Sequence, residues 1–461
     1  MRSVVLAALL FPACRISPIN VEATINETTA TVVELSWTTT DPGISWVEYG
    51  TTEDYGMQTP PTAEASTDHH IPLYGLPPLS PVFYRVVTEI DGKQSVATGE
   101  TETLGIPAEV PDLQVNINDA ALTSSEPYMM GLLVGTMSAI FVLDREGNMV
   151  WYRELGSSIG EGTAVFGDVQ FALDGNDIVY NRFSADIDDP NELNTIFRVA
   201  LTGEIVDERA VPGHHHAFAQ MGDGRYGYVA ADVRDFQLPS GTKPEPVVGD
   251  AIIVVEPDGS TEEVFNTWDD WNAPVEVSEW AVPFYGNIPD WTHGNGLAYY
   301  DDDETFLLSA GYVKAVLEVD RNGGEVLRHF GLGGDVTVAP GSPDFVFQHD
   351  AHWLESGNMM MTSRYVPDTQ HPTDTVIIGV EYALDGSQLV ENWSYGKDAG
   401  IDSIAEGQAR RMANGNTMIN WGFSGICREV TPEGEVAWEM EAGMGAAMVR
   451  VRPMTSFYEG Y

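Results

Sequence analysis

The sequence predicts an all-β protein, a six-bladed β-propeller preceded by one small β-sandwich. Three observations carry this. Its 46 glycines and 27 prolines are spread along the chain, as in short strands joined by turns rather than in long helices. The 461 residues, 43% of them hydrophobic, are too many for one ordinary core. Beyond residue 125 a strand–turn–strand unit recurs.

Aligned on their turns, Phe171–Val179, Ala219–Tyr228, Trp353–Met361 and Arg411–Ile419 read as hairpins, with Tyr300–Leu308 a divergent copy. A second strand pair follows each one: Ile196–Val206, Ala251–Phe265, Ala315–Phe330, Val376–Trp393 and Cys427–Trp438. Ser138–Trp151 shows the second half of a further copy. Two hairpins make a four-stranded blade, and blades bury their faces only by closing into a ring. The strand-like Ala447–Val451 is expected to pair with the first blade and close it.

The resulting domains are a signal peptide at 1–15, a sandwich at 16–104, a linker at 105–124 and the propeller at 125–461. In the sandwich, alternating runs (Ala30–Trp37, Ser45–Tyr49, Val82–Glu89) are separated by Asp41-Pro42-Gly43 and Asp91-Gly92. Trp37 and the Tyr84-Arg85-Val86 strand resemble the immunoglobulin-like and fibronectin-type-III pattern.

Acids outnumber bases 70 to 22, a formal charge of −48, which disfavours nucleic acid and anionic membrane surfaces as partners. Met1-Arg2-Ser3 and the apolar Val4–Phe11 read as an export signal, and Ala13-Cys14 offers a lipid-anchor site, so the protein is expected in the periplasm or at the outer surface. Cys427 reads as a buried thiol. No cofactor is expected; the acidic loop Asp186, Asp188, Asp189, Asn191, Glu192 is the one candidate for calcium.

Eight residues before the hairpin glycine stand His216 (Gly224) and His349 (Gly357), and His293 is expected at the same point of the divergent copy, ahead of Asn295. Gly167 and Gly407 stand there in two others. First strands line a propeller's channel, so the three histidines should converge while the glycines leave room for a ligand. Strand alternation places His214 on the side of His216 and His215 on the other.

The site stretches resemble those of bacterial arylsulfotransferases. Asp290-Trp291-Thr292-His293-Gly294-Asn295 is similar to the family's D-W-x-H-x-N motif, Gln348-His349 to its Q-H motif, and His215-His216 to its H-H strand. The resemblance implies transfer of a sulfuryl group from an aryl sulfate to a phenolic acceptor, without a nucleotide donor. His349 would be transiently sulfated, with His216, His293 and Asn295 donating to the sulfuryl oxygens and Asp290 and His214 beside them. In one respect the chain departs from the family: Gly311 stands where the family has an arginine. Arg364 is the expected substitute, with Arg410 and Arg411 as other candidates. The same features leave two other classes open. One is a histidine-held metal serving a hydrolase or lyase, with Asp350 or Asp290 assisting. The other is a non-catalytic extracellular binding propeller, which the missing arginine favours.

Overall fold

In the computed structural model the chain divides into two compact units, one up to Gly105 and one from Ile106. The described residues are 20–157, 164–175, 177–184, 194–239, 241–276, 278, 281, 284–286, 288–366, 375–403, 405, 407–443 and 446–458. The export signal with Cys14 and the acidic loop at 186–192 lie outside them.

The first unit is one antiparallel sheet system. Val33–Gly50 pairs with Glu22–Ile25, Met57–Gln58, Ser66–Leu73 and Pro81–Ile90, and the last of these pairs with Lys93–Glu102. Asp41-Pro42-Gly43 bends the long strand instead of ending it, through a register shift between Thr38 and Gly43. Alternation buries Val33, Leu35, Trp37, Val47 and Tyr49 against Leu73, Val82, Tyr84 and Val86. The Trp37 indole donates to Thr88 Oγ1 (3.1 Å), which leaves this large ring without a polar cost.

The second unit holds six successive sheets among the described residues, antiparallel except where Thr337–Val338 runs parallel to Gln388–Tyr395 in the fifth, a propeller-like arrangement. The second sheet leads with Val169–Phe171, the third with His214–Gln220, the fourth with Gly294–Tyr300, the fifth with His349–Trp353 and the sixth with Gln408–Arg411. In the first sheet the leading place is taken by Ala447–Met454, paired with Tyr128–Val134. Leading strands of neighbouring sheets touch one another from the third round to the first, which puts them at the centre. Leu113–Asn118, expected as linker, is instead a fifth strand on the sixth sheet, because the alternating Leu113, Val115 and Ile117 complete its outer edge.

Outer strands are pinned from sheet to sheet by tryptophan. The Trp151 indole donates to Leu201 O of the second sheet (2.8 Å), Trp393 to Pro432 O of the sixth (3.1 Å) and Trp438 to Arg145 O of the first (3.1 Å). Each carbonyl lies beside the turn of the next sheet's outer hairpin, so one side chain contributes both apolar area and a hydrogen bond there.

Candidate functional site

The last residue paired before the inner hairpin gives every leading strand a common origin. These pairs are Phe171↔Ile178, Gln220↔Tyr226, Tyr300↔Thr305, Trp353↔Met359, Arg411↔Thr417 and Met454↔Tyr128. Four residues before that origin stand Gly167, His216, Gly296, His349, Gly407 and Arg450. Long polar side chains therefore alternate with glycines around the centre. A Cβ on Gly167 would lie 2.3 Å from His216 O, on Gly296 2.9 Å from Asp350 N, and on Gly407 2.6 Å from Thr362 Oγ1. The glycines are what let adjacent sheets approach so closely.

His293 departs from the expectation. Gly296 holds the shared strand position, and His293 reaches in from the residue before Gly294–Tyr300, at φ 54°. Bulges break the ladders between His214 and Phe218, Gly294 and Gly296, His349 and His352, and Met448 and Arg450. Such irregularities re-aim side chains out of the sheet's alternation.

The histidines converge with aromatic neighbours. The rings of His216 and His293 are 4.6 Å apart, and Tyr312 stacks on His293 at 4.2 Å. Phe347 lies 5.8 Å from His293 and 4.7 Å from His349, while Phe284 caps His216 at 4.6 Å. All three histidines are buried.

Hydrogen bonds assign their protons. His349 Nδ1 lies 3.0 Å from Phe347 O, and a carbonyl only accepts, so Nδ1 carries the hydrogen and Nε2 the lone pair. Burial, then His293 and Arg450, lower the His349 pKa to about 3, so it is neutral near pH 7. His293 Nδ1 donates to Asp290 Oδ2 (2.7 Å), whose Oδ1 accepts from the His293 backbone. His216 Nδ1 meets His215 Nδ1 at 2.8 Å, and His215 Nε2 donates to the fully buried Asp250 (2.9 Å). Burial, then His293, also hold His216 well below the usual histidine range.

His214, expected among the substrate contacts, is a support. Its Nδ1 donates to Val229 O and its Nε2 accepts from Asn181 Nδ2 (2.7 Å). Asn181 in turn holds His216 O and the Gly167 and Asp168 amides. Asn295 is fully buried, and neither of its amide atoms finds a hydrogen-bond partner among the described residues. The same holds for Thr362 Oγ1 and Gln408 Nε2, on sheets five and six.

The expected cation is not where the sequence reading placed it. Arg364 lies over the Phe347 ring, and its guanidinium is committed to Asp402 (3.1 Å), Thr375 Oγ1 (2.9 Å) and Ser403 O (2.5 Å). Arg410 pairs with Asp350 (2.8 Å) and Arg411 with Glu381. At Gly311 even a Cβ would stand 2.6 Å from Asn295 Nδ2, so the space an arginine needs there is filled. A cavity of about 430 Å³, lined by Trp271, Ala273, Lys314, His329 and Leu332, shares Tyr312 with the cluster. Among the described residues, no group of three or more His, Cys, Asp or Glu side chains is placed to hold a metal ion.

Sequence reasoning named His215 but turned it to the opposite face, because alternation does not anticipate a bulge, and it missed Asp250, which lies on a strand with no motif around it.

These features define an all-β protein whose buried histidine cluster sits where the leading strands meet. The arylsulfotransferase (ASST) family profile matches residues 115–456, about three-quarters of the chain, and the protein belongs to that family. No curated protein matches the sequence. Similar solved structures include a protein of unknown function from Bacteroides caccae (14% identity, 72% of this chain and 100% of that one, TM-score 0.44). Another is the periplasmic gluconolactonase of Pseudomonas aeruginosa (13%, 70% and 98%, TM-score 0.36). A third is inactive virginiamycin B lyase from Staphylococcus aureus with quinupristin (10%, 92% and 99%, TM-score 0.32).

Proposed function

We propose that this protein transfers a sulfuryl group from an aryl sulfate to a phenolic acceptor through a sulfohistidine at His349, without a nucleotide donor. We read the six sheets as the blades of one propeller and the first unit as a fibronectin-type-III-like sandwich. The observation that carries the activity is the His349–Phe347 hydrogen bond, which leaves a neutral Nε2 lone pair inside a cluster of donors.

In the first half-reaction His349 Nε2 attacks sulfur, the S–O bond to the aryl group breaks, and the phenolic oxygen leaves with the electron pair. In the second, the acceptor oxygen attacks sulfur and the N–S bond returns its pair to Nε2. His293, steadied by Asp290, gives the departing oxygen a proton and recovers one from the acceptor, so the cycle consumes none. Asn295 donates to the sulfuryl oxygens, a use for its open hydrogen-bonding capacity, while His216, whose Nδ1 hydrogen goes to His215, bounds the pocket. Phe284, Tyr312 and Phe347 supply flat apolar surface suited to an aryl ring.

Transfer from 4-nitrophenyl sulfate to phenol tests this. The kinetics should be ping-pong, sulfate should be trapped covalently on His349, and His349→Ala should abolish both. Full transfer by His349→Ala would exclude the mechanism. Gly311, which lacks the family's cation, favours one second reading, a propeller that binds aryl anions without turning them over; absent turnover with retained binding would select it.

A further inference from the structure

An aryl sulfate is an anion entering a buried site, and a preorganised cation at its sulfuryl oxygens is worth most where water is excluded. Gly311 cannot supply one, because Asn295, Phe347 and Gln348 fill the space beside it. Arg364 and Arg410 are turned onto Asp402 and Asp350. Arg450 is held as well, by Asp168 at 3.4 Å and by Val449 O, to which its Nη1 donates (2.9 Å), but it stands on a leading strand at the centre. It occupies on the ring-closing strand the position, four residues before the paired origin, that His216 and His349 occupy on theirs. A bulge between Met448 and Arg450 matches those that re-aim the two histidines. The side chain is 1% exposed. Its Nε lies 3.4 Å from Asp168, whose backbone amide is held by the same Asn181 that holds His216 O. On the other flank, Val451 N donates to Gln408 Oε1, so Arg450 follows directly on the wall of the sixth sheet. Burial above all, with a smaller contribution from the Arg450 charge, depresses the pKa of both His216 and His349.

We propose that Arg450 is the cation that binds the sulfuryl group, supplied by the C-terminal strand in place of an arginine at position 311; this rests on the sulfotransferase reading of the site. The planar guanidinium suits two oxygens of a tetrahedral anion at once. Asp168, which accepts from Arg452 Nη2 (3.0 Å), stands 3.4 Å behind it as a counter-charge.

The test uses the full chain with 4-nitrophenyl sulfate as donor and phenol as acceptor. Arg450→Met is expected to lower kcat/KM by about 10²–10³-fold, the usual loss for one such donor. Added guanidinium chloride at low millimolar concentration should restore part of it, which a merely structural role would not allow. Unchanged kcat/KM in Arg450→Met, with His349→Ala inactive, overturns the proposal and leaves the sulfotransferase reading standing. If the unsubstituted protein shows no turnover, that reading falls, and equilibrium binding of 4-nitrophenyl sulfate decides on Arg450. Binding lost in Arg450→Met upholds the anion site; binding unchanged, or absent in the unsubstituted protein, overturns it. Should Arg450→Met fail to fold, Arg450→Lys keeps a charge opposite Asp168 and carries the test. It should cost at least about tenfold through loss of the paired donors, and an unchanged value overturns the proposal.

Discussion

At the scale of the residue, the site is a set of imidazoles whose inner nitrogens are fixed by what lies behind them. A carbonyl holds His349, Asp290 holds His293, and the Asp250–His215 pair holds His216. Asp250 is the most tightly built of these supports. It also accepts from Thr292 Oγ1 and from Gly294 N (both 2.6 Å), so one carboxylate ties the third sheet to the loop that carries His293. Asp250→Asn should slow transfer by about 10–10²-fold, the cost of losing a group that orients others. The acid limb of the pH–rate profile should move as well, because the charge behind His215 and His216 is gone. An unaltered rate and profile would show that the relay is only packing.

At the scale of the element, close approach of the leading strands is the governing constraint. At Gly167 the neighbour is the backbone oxygen of His216, which cannot swing aside as a side chain would. Gly167→Ala should therefore destabilise by about 1–3 kcal/mol through overpacking. It should also lower transfer, since relief of the clash must shift the strand that carries His216. Denaturant midpoint and kcat measured together check this, and a silent Gly167→Ala would refute the account of the glycines. The tryptophan pins show the same logic at the rim, where Trp151, Trp393 and Trp438 each satisfy a carbonyl of the next sheet.

At the scale of the whole molecule, buried neutral histidines make the fold acid-sensitive. Burial above all lowers the pKa of His214 and of His349 to about 3 and holds His216 well below the ordinary value of 6.5. Above pH 6.5 neither state binds these protons and they have no effect. Between pH 6.5 and about 3 the unfolded chain takes them up and the folded chain does not, so stability falls as pH falls. The slope per histidine is at most about 1.4 kcal/mol per pH unit. Chemical denaturation at pH 7 and pH 5 measures it. His214→Asn should flatten the dependence, and equal flatness in the unsubstituted protein would contradict the burial of neutral imidazoles.

Recurrence, turn glycines and strand alternation were enough to establish from sequence the all-β class and the repeating hairpins. They also marked His216, His349, Gly167 and Gly407 as the residues facing the centre, because hairpin geometry is local and each position can be counted back from its own turn. Where the first sheet's leading strand is concerned, that counting has no start. Met454 pairs with Tyr128 at the far end of the unit, no turn glycine joins them, and Arg450 reads in sequence as one more residue of a terminal strand. Arg364, by contrast, stands beside a recognisable run but spends its charge on Asp402, a partner chosen by packing between sheets. His293 was found through its motif and misplaced in the strand, and His215 was turned to the wrong face, because bulges break the period-two rule that sequence reading relies on. The sequence determined which local units form. The tertiary structure decided which charges meet at the centre, because those contacts join residues that only ring closure brings together.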